Sequence, residues 1–347
     1  MKILFVFKDN PAANPFVRTL VEELNRQGCY AVMSRDELWA NMDYDIIHFQ
    51  WPENVFQKSH VNNHLVNSLD ERLQVLKKQG KKISITCHNL KPHTNKDEGV
   101  NALYDIIYGY CDLFIHMGEY SHSLLSEKYP QAIHVVIPHH IYDSIYEFNL
   151  DKEQCQSQLK LDKSKFNLLC FGNFRSDEER CMVLKQRKVL KQEDIVFVTP
   201  GFYRKKVLTR KISKIPERIL HHMIYKCMGI PYFSHVIDDD MLEKYFTACD
   251  AVMLQRISIL NSGNLPMGFY AGKVVVGPDI GNVGCILKEM GNPTFNPNDS
   301  GSVSYAIREA KRLAETRKGE ANRQFAISNW NTKDIVRQLI EAYETIA

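Results

Sequence analysis

The sequence holds no C-x-x-C pair. Its nine cysteines, at 29, 87, 111, 155, 170, 181, 227, 249 and 285, are scattered and odd in number. That argues against a disulfide framework and for a reduced, cytoplasmic chain whose thiols serve as small core residues. No run approaches the ~18 apolar residues of a membrane span. The opening run Ile3 to Phe7 is only five residues long, too short for a signal-peptide core, and reads as a buried strand. Neither sign of charge is in excess: 44 Lys and Arg stand against 41 Asp and Glu, a net +3, so no global field points to nucleic acid. An H-E-x-x-H motif is missing as well. His60 and His64 have helical spacing without the glutamate, and His139-His140 and His221-His222 are adjacent pairs, so no metal site is expected. Finally, the loop after the first strand, Asp9 to Pro15, carries prolines where a phosphate cradle would need glycines.

What is present is alternation. Short apolar runs (Ile3 to Phe7, Tyr30 to Met33, Tyr44 to Phe49, Lys82 to Thr86, Leu113 to His116, His134 to Ile137) are separated by amphipathic stretches such as Phe16 to Gln27 and Asn63 to Gln79. Strands alternating with helices predict a parallel sheet covered on both faces. The polar stretch from Tyr142 to Lys165 lacks a strand signal, and the alternation restarts at Phe166. The predicted architecture is α/β, with two Rossmann-like doubly wound parallel-sheet domains facing a central cleft. The first spans 1–145, a linker 146–165, and the second 166–330. A last helix, 331–347, is expected to return toward the first domain. In such sheets ligands bind beyond the carboxyl ends of the strands, so those positions are the ones to read.

In the second half, Ser262-Gly263-Asn264-Leu265-Pro266 follows a strand and opens a helix. Uncapped N–H groups at such a start attract anions; a plain helix cap is the bland alternative. The run continues through Gly272-Lys273, Val274 to Val276, Pro278-Asp279 and Gly281. Upstream stands Phe171-Gly172-Asn173-Phe174-Arg175. Together these segments resemble the donor half of GT-B glycosyltransferases, closest to the family 4-like group of bacterial polysaccharide and lipopolysaccharide biosynthesis. The resemblance implies donor binding by Gly172, Asn173, Arg175, Arg256, Ser262, Gly263 and Asn264, with Arg175 on the phosphates. Three positions depart from the pattern: Glu178 stands where a lysine is expected, Met267 where many relatives carry a ribose-binding glutamate, and Cys285 where glutamate is frequent. Arg180, Arg204 or Arg256 would then have to supply the missing charge.

The first half extends the resemblance. Ile46 to Glu53 is similar to the h-x-H-W-P stretch of those enzymes, Thr86-Cys87-His88-Asn89 with Pro92-His93 to T-x-H-N-x-x-P-H, and Ile137-Pro138-His139-His140 to h-I-P-H-G, with His140 in place of the glycine. His88 is thereby expected to touch the transferred sugar or the donor phosphate. Asn89, Trp51, Glu53 and Asn14 are expected on the acceptor side: the amide for sugar hydroxyls, the indole as a flat face for a sugar ring, the carboxylate as a base if the reaction inverts. The implied activity is transfer of a sugar from a nucleotide diphosphate-sugar to a glycan or lipid-linked acceptor, without metal or cofactor and with retention. An epimerase of the same architecture and a non-catalytic nucleotide-sugar-binding protein are the rivals. The segment Arg204 to Lys226 interleaves basic and apolar residues. It reads as a surface for anionic membrane, which would make the chain peripheral on the inner face of the cell membrane, or as a solvated helix face.

Overall fold

The computed structural model describes residues 1–8, 15–40, 43–56, 60–91, 98–202 and 239–347. The chain divides into two compact units, Met1–Ile145 with Ser328–Ala347, and Tyr146–Ile327. Each is built on a wholly parallel sheet with helices between its strands.

The first unit holds β1 (Lys2–Val6), β2 (Tyr30–Met33), β3 (Ile46–Phe49), β4 (Lys82–Thr86), β5 (Leu113–His116) and β6 (Ile133–Val136) in the order β2-β1-β3-β4-β5-β6. The reversal of strand order falls between β1 and β3. All residues of β3 and β5 are buried, as expected of strands covered on both faces. Helices α1 (Phe16–Arg26), α2 (Asn63–Lys78), α3 (Glu98–Tyr110) and α4 (Glu119–Lys128) connect them. α2 begins at a genuine cap, where the Asn62 side chain accepts from the Leu65 N–H, a contact worth ~1 kcal/mol. It ends at Gly80, whose φ of 75° lets Lys81 N–H reach back to Leu76 O at 3.0 Å. His60 therefore lies before the cap and shares no helix with His64.

The second unit holds β7 (Phe166–Leu169), β8 (Ile195–Val198), β9 (Ala251–Met253), β10 (Val274–Pro278) and β11 (Thr294–Phe295) in the order β11-β10-β9-β7-β8. Its strand order reverses between β7 and β9. The helices are α5 (Lys152–Gln158), α6 (Asp177–Val189), α7 (Asp239–Ala248), α8 (Asn264–Tyr270), α9 (Gly281–Glu289), α10 (Ser300–Ala314) and α11 (Lys318–Asn329). The stretch read as a linker thus contains a helix. Asp151 caps α5 by accepting from Gln154 N–H, and buried Gln156 donates to Ala248 O at 3.0 Å.

The last helix, α12 (Thr332–Glu344), belongs to the first unit. Its buried stripe Ile335, Val336, Leu339, Ala342 and Tyr343 follows helical spacing. Gln27 at the end of α1 donates to Lys333 O at 2.9 Å. Asp143 accepts from the backbone and hydroxyl of Thr332. Among the described residues no helix is long and apolar enough to cross a membrane.

Candidate functional site

At the order reversal of the second sheet, the segment Phe171-Gly172-Asn173 follows β7 directly. Its carbonyls are held by side-chain donors. Phe171 O accepts from Gln255 Nε2 at 3.1 Å and from Asn264 Nδ2 at 2.9 Å. Asn173 O accepts from Arg256 Nη1 at 2.9 Å. Gln255 and Arg256 follow β9, and Asn264 opens α8, so three side chains from two elements converge on one loop. Gly172 has a φ of 90°, a conformation that disfavours any side chain. The neighbouring strand end must be bare as well, because a Cβ on Gly201 would overlap the Gly172 carbonyl. Among the described residues the N–H groups of Gly172 and Asn173 have no acceptor. Donors of that kind, on a loop whose carbonyls are tied inward, suit an anion.

The charges nearby are unequal in their commitments. Arg256 is buried and its Nη1 lies 2.8 Å from Glu179 Oε2. The same carboxylate accepts the Arg175 N–H at 2.7 Å. Arg180 donates to Phe174 O and Phe202 O and pairs with Asp177. Neither arginine is a spare cation, although both are candidates for that role from the sequence; Arg204 lies outside the described residues. The Arg175 guanidinium differs. It is exposed and has no hydrogen-bond or ion-pair partner among the described residues. Glu179 balances Arg256, so Arg175 contributes uncompensated positive charge. Desolvation, and secondarily the Arg256 charge, lower its pKa, and Glu179 offsets part of this.

The helix start differs from expectation in one respect. Gly263, not serine, is the cap of α8, and no side chain bonds the first turn. Leu265 N–H is taken by Ser262 O at 3.1 Å and Pro266 has none, so the Gly263 and Asn264 amides are what remains. With only seven residues, α8 has little dipole to add. Glu178 sits exposed in the first turn of α6 between Asp177 and Glu179, so that helix start is filled by its own acids. Met267 is core.

The first unit gathers its candidates at the corresponding strand ends. His88 is buried, and its Nε2 lies 2.6 Å from Gln50 Oε1. Its ring stacks on Trp51 at 3.9 Å and 15°, and the edge of Phe16 meets it at 5.1 Å. One face of Trp51 is therefore covered by His88, which leaves less indole for a sugar than the sequence implies. Glu53, in a 3₁₀ turn over Pro52–Asn54, accepts from Tyr104 OH at 2.7 Å. Asn89 is buried and its carbonyl accepts from Tyr108 OH at 3.1 Å. His140, in place of glycine, is buried between Phe16 O and the Tyr142 N–H. Burial pushes His88 and His140 well below the ordinary histidine range, His139 to about 4 and His48 to about 3. Gln50 and Glu179 escaped sequence reasoning as local partners. For Gln50 a signal existed, since it lies two residues after His48 and so shares its side of the strand. Asn14, His93, His221, His222 and the basic segment Arg204 to Lys226 lie outside the described residues. Among the described residues no three His, Cys, Asp or Glu gather as for a metal ion.

No protein-family model matches the sequence, and no curated protein sequence matches it. Solved structures do. Sucrose-phosphate synthase from Thermosynechococcus elongatus is similar over 99% of this chain and 98% of its own, with a TM-score of 0.72 and 14% identity. Anabaena HepE, solved in complex with UDP, is similar over 99% and 100%, with 0.68 and 12%. A putative UDP-N-acetylglucosamine 2-epimerase from Listeria monocytogenes follows over 99% and 96%, with 0.59 and 11%. Identities this low establish the fold. The chain has the two-sheet α/β architecture of the GT-B glycosyltransferases.

Proposed function

We propose that the protein is a glycosyltransferase that takes its sugar from a nucleoside diphosphate-sugar. The observation that carries this reading is the exposed Arg175, whose guanidinium has no partner among the described residues, beside a loop with two N–H groups likewise open among them, at the order reversal of the second sheet. A diphosphate fits that combination: the N–H groups of Gly172 and Asn173 meet one phosphate, Arg175 the other, and the Gly263 and Asn264 amides add donors. Fixed donors of this kind stabilise charge that develops on a departing diphosphate, so the leaving group needs no metal. In this reading the side chains of Asn264 and Arg256 hold the loop, and Asn264 meets the ligand only through its backbone N–H. HepE was solved with UDP, which makes uridine the first base to try.

On the acceptor side, His88 faces the transferred sugar and Asn89 and Glu53 border the acceptor. The resemblance favours retention, the leaving phosphate assisting deprotonation of the acceptor hydroxyl. A saccharide or lipid-linked acceptor, a place in cell-surface polysaccharide synthesis, and attachment to anionic membrane through Arg204 to Lys226 complete the proposal.

Calorimetric titration with UDP, ADP and GDP tests the donor site. At least one should bind, and Arg175→Ala should weaken it tenfold or more, the value of a charge-assisted contact worth roughly 1.5–3 kcal/mol. If none binds, the donor site is wrong. Incubation of the matching nucleotide-sugars then separates reactions. Product that needs an added acceptor indicates transfer. A changed sugar without acceptor indicates epimerisation, the reading that the Listeria neighbour keeps in play.

A further inference from the structure

Five polar side chains run in a row through the buried face of the first sheet. Strand register puts them there. His48 of β3 stands opposite Ser84 of β4, and Phe49 opposite Ile85, so Gln50 comes level with Thr86. Strand alternation keeps 48 with 50, and 84 with 86, on one side. His48, Ser84, Thr86, Gln50 and His88 are all buried, where parallel strands ordinarily carry aliphatic residues. Buried polar groups must find partners, and these find one another. His88 Nε2 lies 2.6 Å from Gln50 Oε1. Gln50 Nε2 donates to Thr86 Oγ1 at 3.4 Å. Thr86 Oγ1 is 2.8 Å from His48 Nε2, and His48 Nδ1 is 2.9 Å from Tyr343 OH and 3.1 Å from Ser84 Oγ. Tyr343 is fully buried and comes from α12, nearly three hundred residues later in the chain.

A neutral imidazole has one N–H and one lone pair. A carbonyl oxygen at 2.6 Å calls for the proton on Nε2. The lone pair of His88 is then on Nδ1. The remaining freedom of the ring is restricted by the stacked Trp51 and the edge of Phe16. We infer that Gln50 is a positioning residue for His88, fixing the Nε2–H tautomer so that Nδ1 is a hydrogen-bond acceptor, and that Tyr343 of the C-terminal helix holds Gln50 through His48 and Thr86. The catalytic meaning rests on the proposed donor and acceptor sites; the tautomer does not. An acceptor nitrogen receives a hydrogen bond from a sugar hydroxyl and repels a phosphate oxygen. Of the two roles expected for His88, the inference selects contact with the sugar.

Full-length protein labelled with 15N-histidine tests this. Long-range 1H–15N correlations, with His88 assigned by its loss in His88→Gln, should show the proton on Nε2 and none on Nδ1. Gln50→Met removes the acceptor and should release His88 into a mixture of tautomers. Tyr343→Phe should move the His48 resonances and part of the His88 population with them. A wild-type His88 protonated on Nδ1 overturns the inference whether or not the variants fold, and so does a His88 spectrum unchanged by Gln50→Met. A His88 spectrum unchanged by Tyr343→Phe removes the helix from it. UDP affinity, measured in parallel, should be unchanged in Gln50→Met. Failure of the wild-type chain to bind any nucleoside diphosphate would sink the donor site and leave the tautomer result standing. In a transfer assay Gln50→Met should lower kcat tenfold or more with donor KM unchanged; an equal kcat counts against positioning.

Discussion

Gly201→Ala puts the proposed donor loop to the sharpest test. A Cβ there would sit 2.5 Å from the Gly172 carbonyl carbon and 3.0 Å from Asn173 N. Carbon atoms rest about 3.5 Å apart, so one backbone must retreat by about 1 Å. The loop cannot do so freely. Gln255, Asn264 and Arg256 grip its carbonyls at 3.1, 2.9 and 2.9 Å, and Phe174 N–H bonds Gly201 O at 3.3 Å. Overpacking of this kind costs about 1–3 kcal/mol, visible as a lower midpoint in urea. A binding loop displaced by about 1 Å exceeds the ~0.5 Å tolerance of a preorganised site, so UDP affinity should fall at least tenfold. Gly277→Ala is the control. Its Cβ would press Leu287 Cδ1 at 2.8 Å and Leu254 Cβ at 3.3 Å, side chains rather than the loop backbone. It should lose stability yet keep affinity. Folded Gly201→Ala that binds UDP within twofold of wild type would refute the placement, as would an equal loss of affinity in Gly277→Ala.

Other consequences are open to measurement. Arg256→Met strands the buried Glu179 carboxylate and should cost roughly 3–5 kcal/mol, most of it regained in Arg256→Met with Glu179→Leu; urea denaturation reads both, and two equal losses would deny the pair its interdependence. The histidines of the first unit set a pH dependence. His48, His139 and His116 are held to about 3, 4 and 3 in the folded chain, against ~6.5 unfolded. Their depressed values give stability that is complete above about pH 6.5 and lost as pH falls toward 3 to 4. Each contributes a slope of up to ~1.4 kcal/mol per pH unit over that window. The urea midpoint should drop from pH 7 to pH 5, and drop less in His48→Gln; equal slopes in the two proteins would show that His48 is not buried neutral.

Much of the fold is legible in the sequence because its strands are short, continuous and apolar. Ile3 to Phe7, Lys82 to Thr86 and Val274 to Val276 announce themselves by composition, and Gly28, Gly80 and Gly272 mark helix ends with positive φ. What escapes notice has a physical cause. α11 carries Lys318, Glu320, Asn322, Arg323 and Gln324 with few apolar residues between, so no 3.6-residue stripe reveals it; buried Asn322 instead bonds Asn292 and Lys273 O. α5 is polar for the same reason and is held by its Asp151 cap. β11 has only two residues. At the candidate site, residue types could be read but not their commitments. Nothing local in Arg180, Arg256 and Arg175 says that the first two are bonded within the fold and the third is not. For Arg256 that distinction comes from Glu179, seventy-seven residues away, and for Arg180 from Asp177 and the Phe174 and Phe202 carbonyls.

The two units solve opposite electrostatic problems at their strand ends. The first encloses its polar groups: His88, Gln50, Thr86, His48 and Tyr343 bond in sequence and stay neutral, so the unit adds no charge where His88 stands. The second encloses an ion pair, Arg256 with Glu179, and uses it to orient the backbone of Asn173 and Arg175. Beside that pair, the Arg175 side chain is left in solvent among the described residues. Group transfer from a diphosphate asks for such a division. The leaving charge needs fixed positive donors on one side, and the reacting carbon, which gains positive character itself, needs neighbours that can accept hydrogen bonds without adding a second cation. Under the proposed function, in which His88 contacts the transferred sugar, a protonated His88 would oppose that carbon. Burial of His88 and the Gln50 contact both work against protonation, so the enclosed row of polar residues, costly as a core, keeps these strand ends of the first unit uncharged.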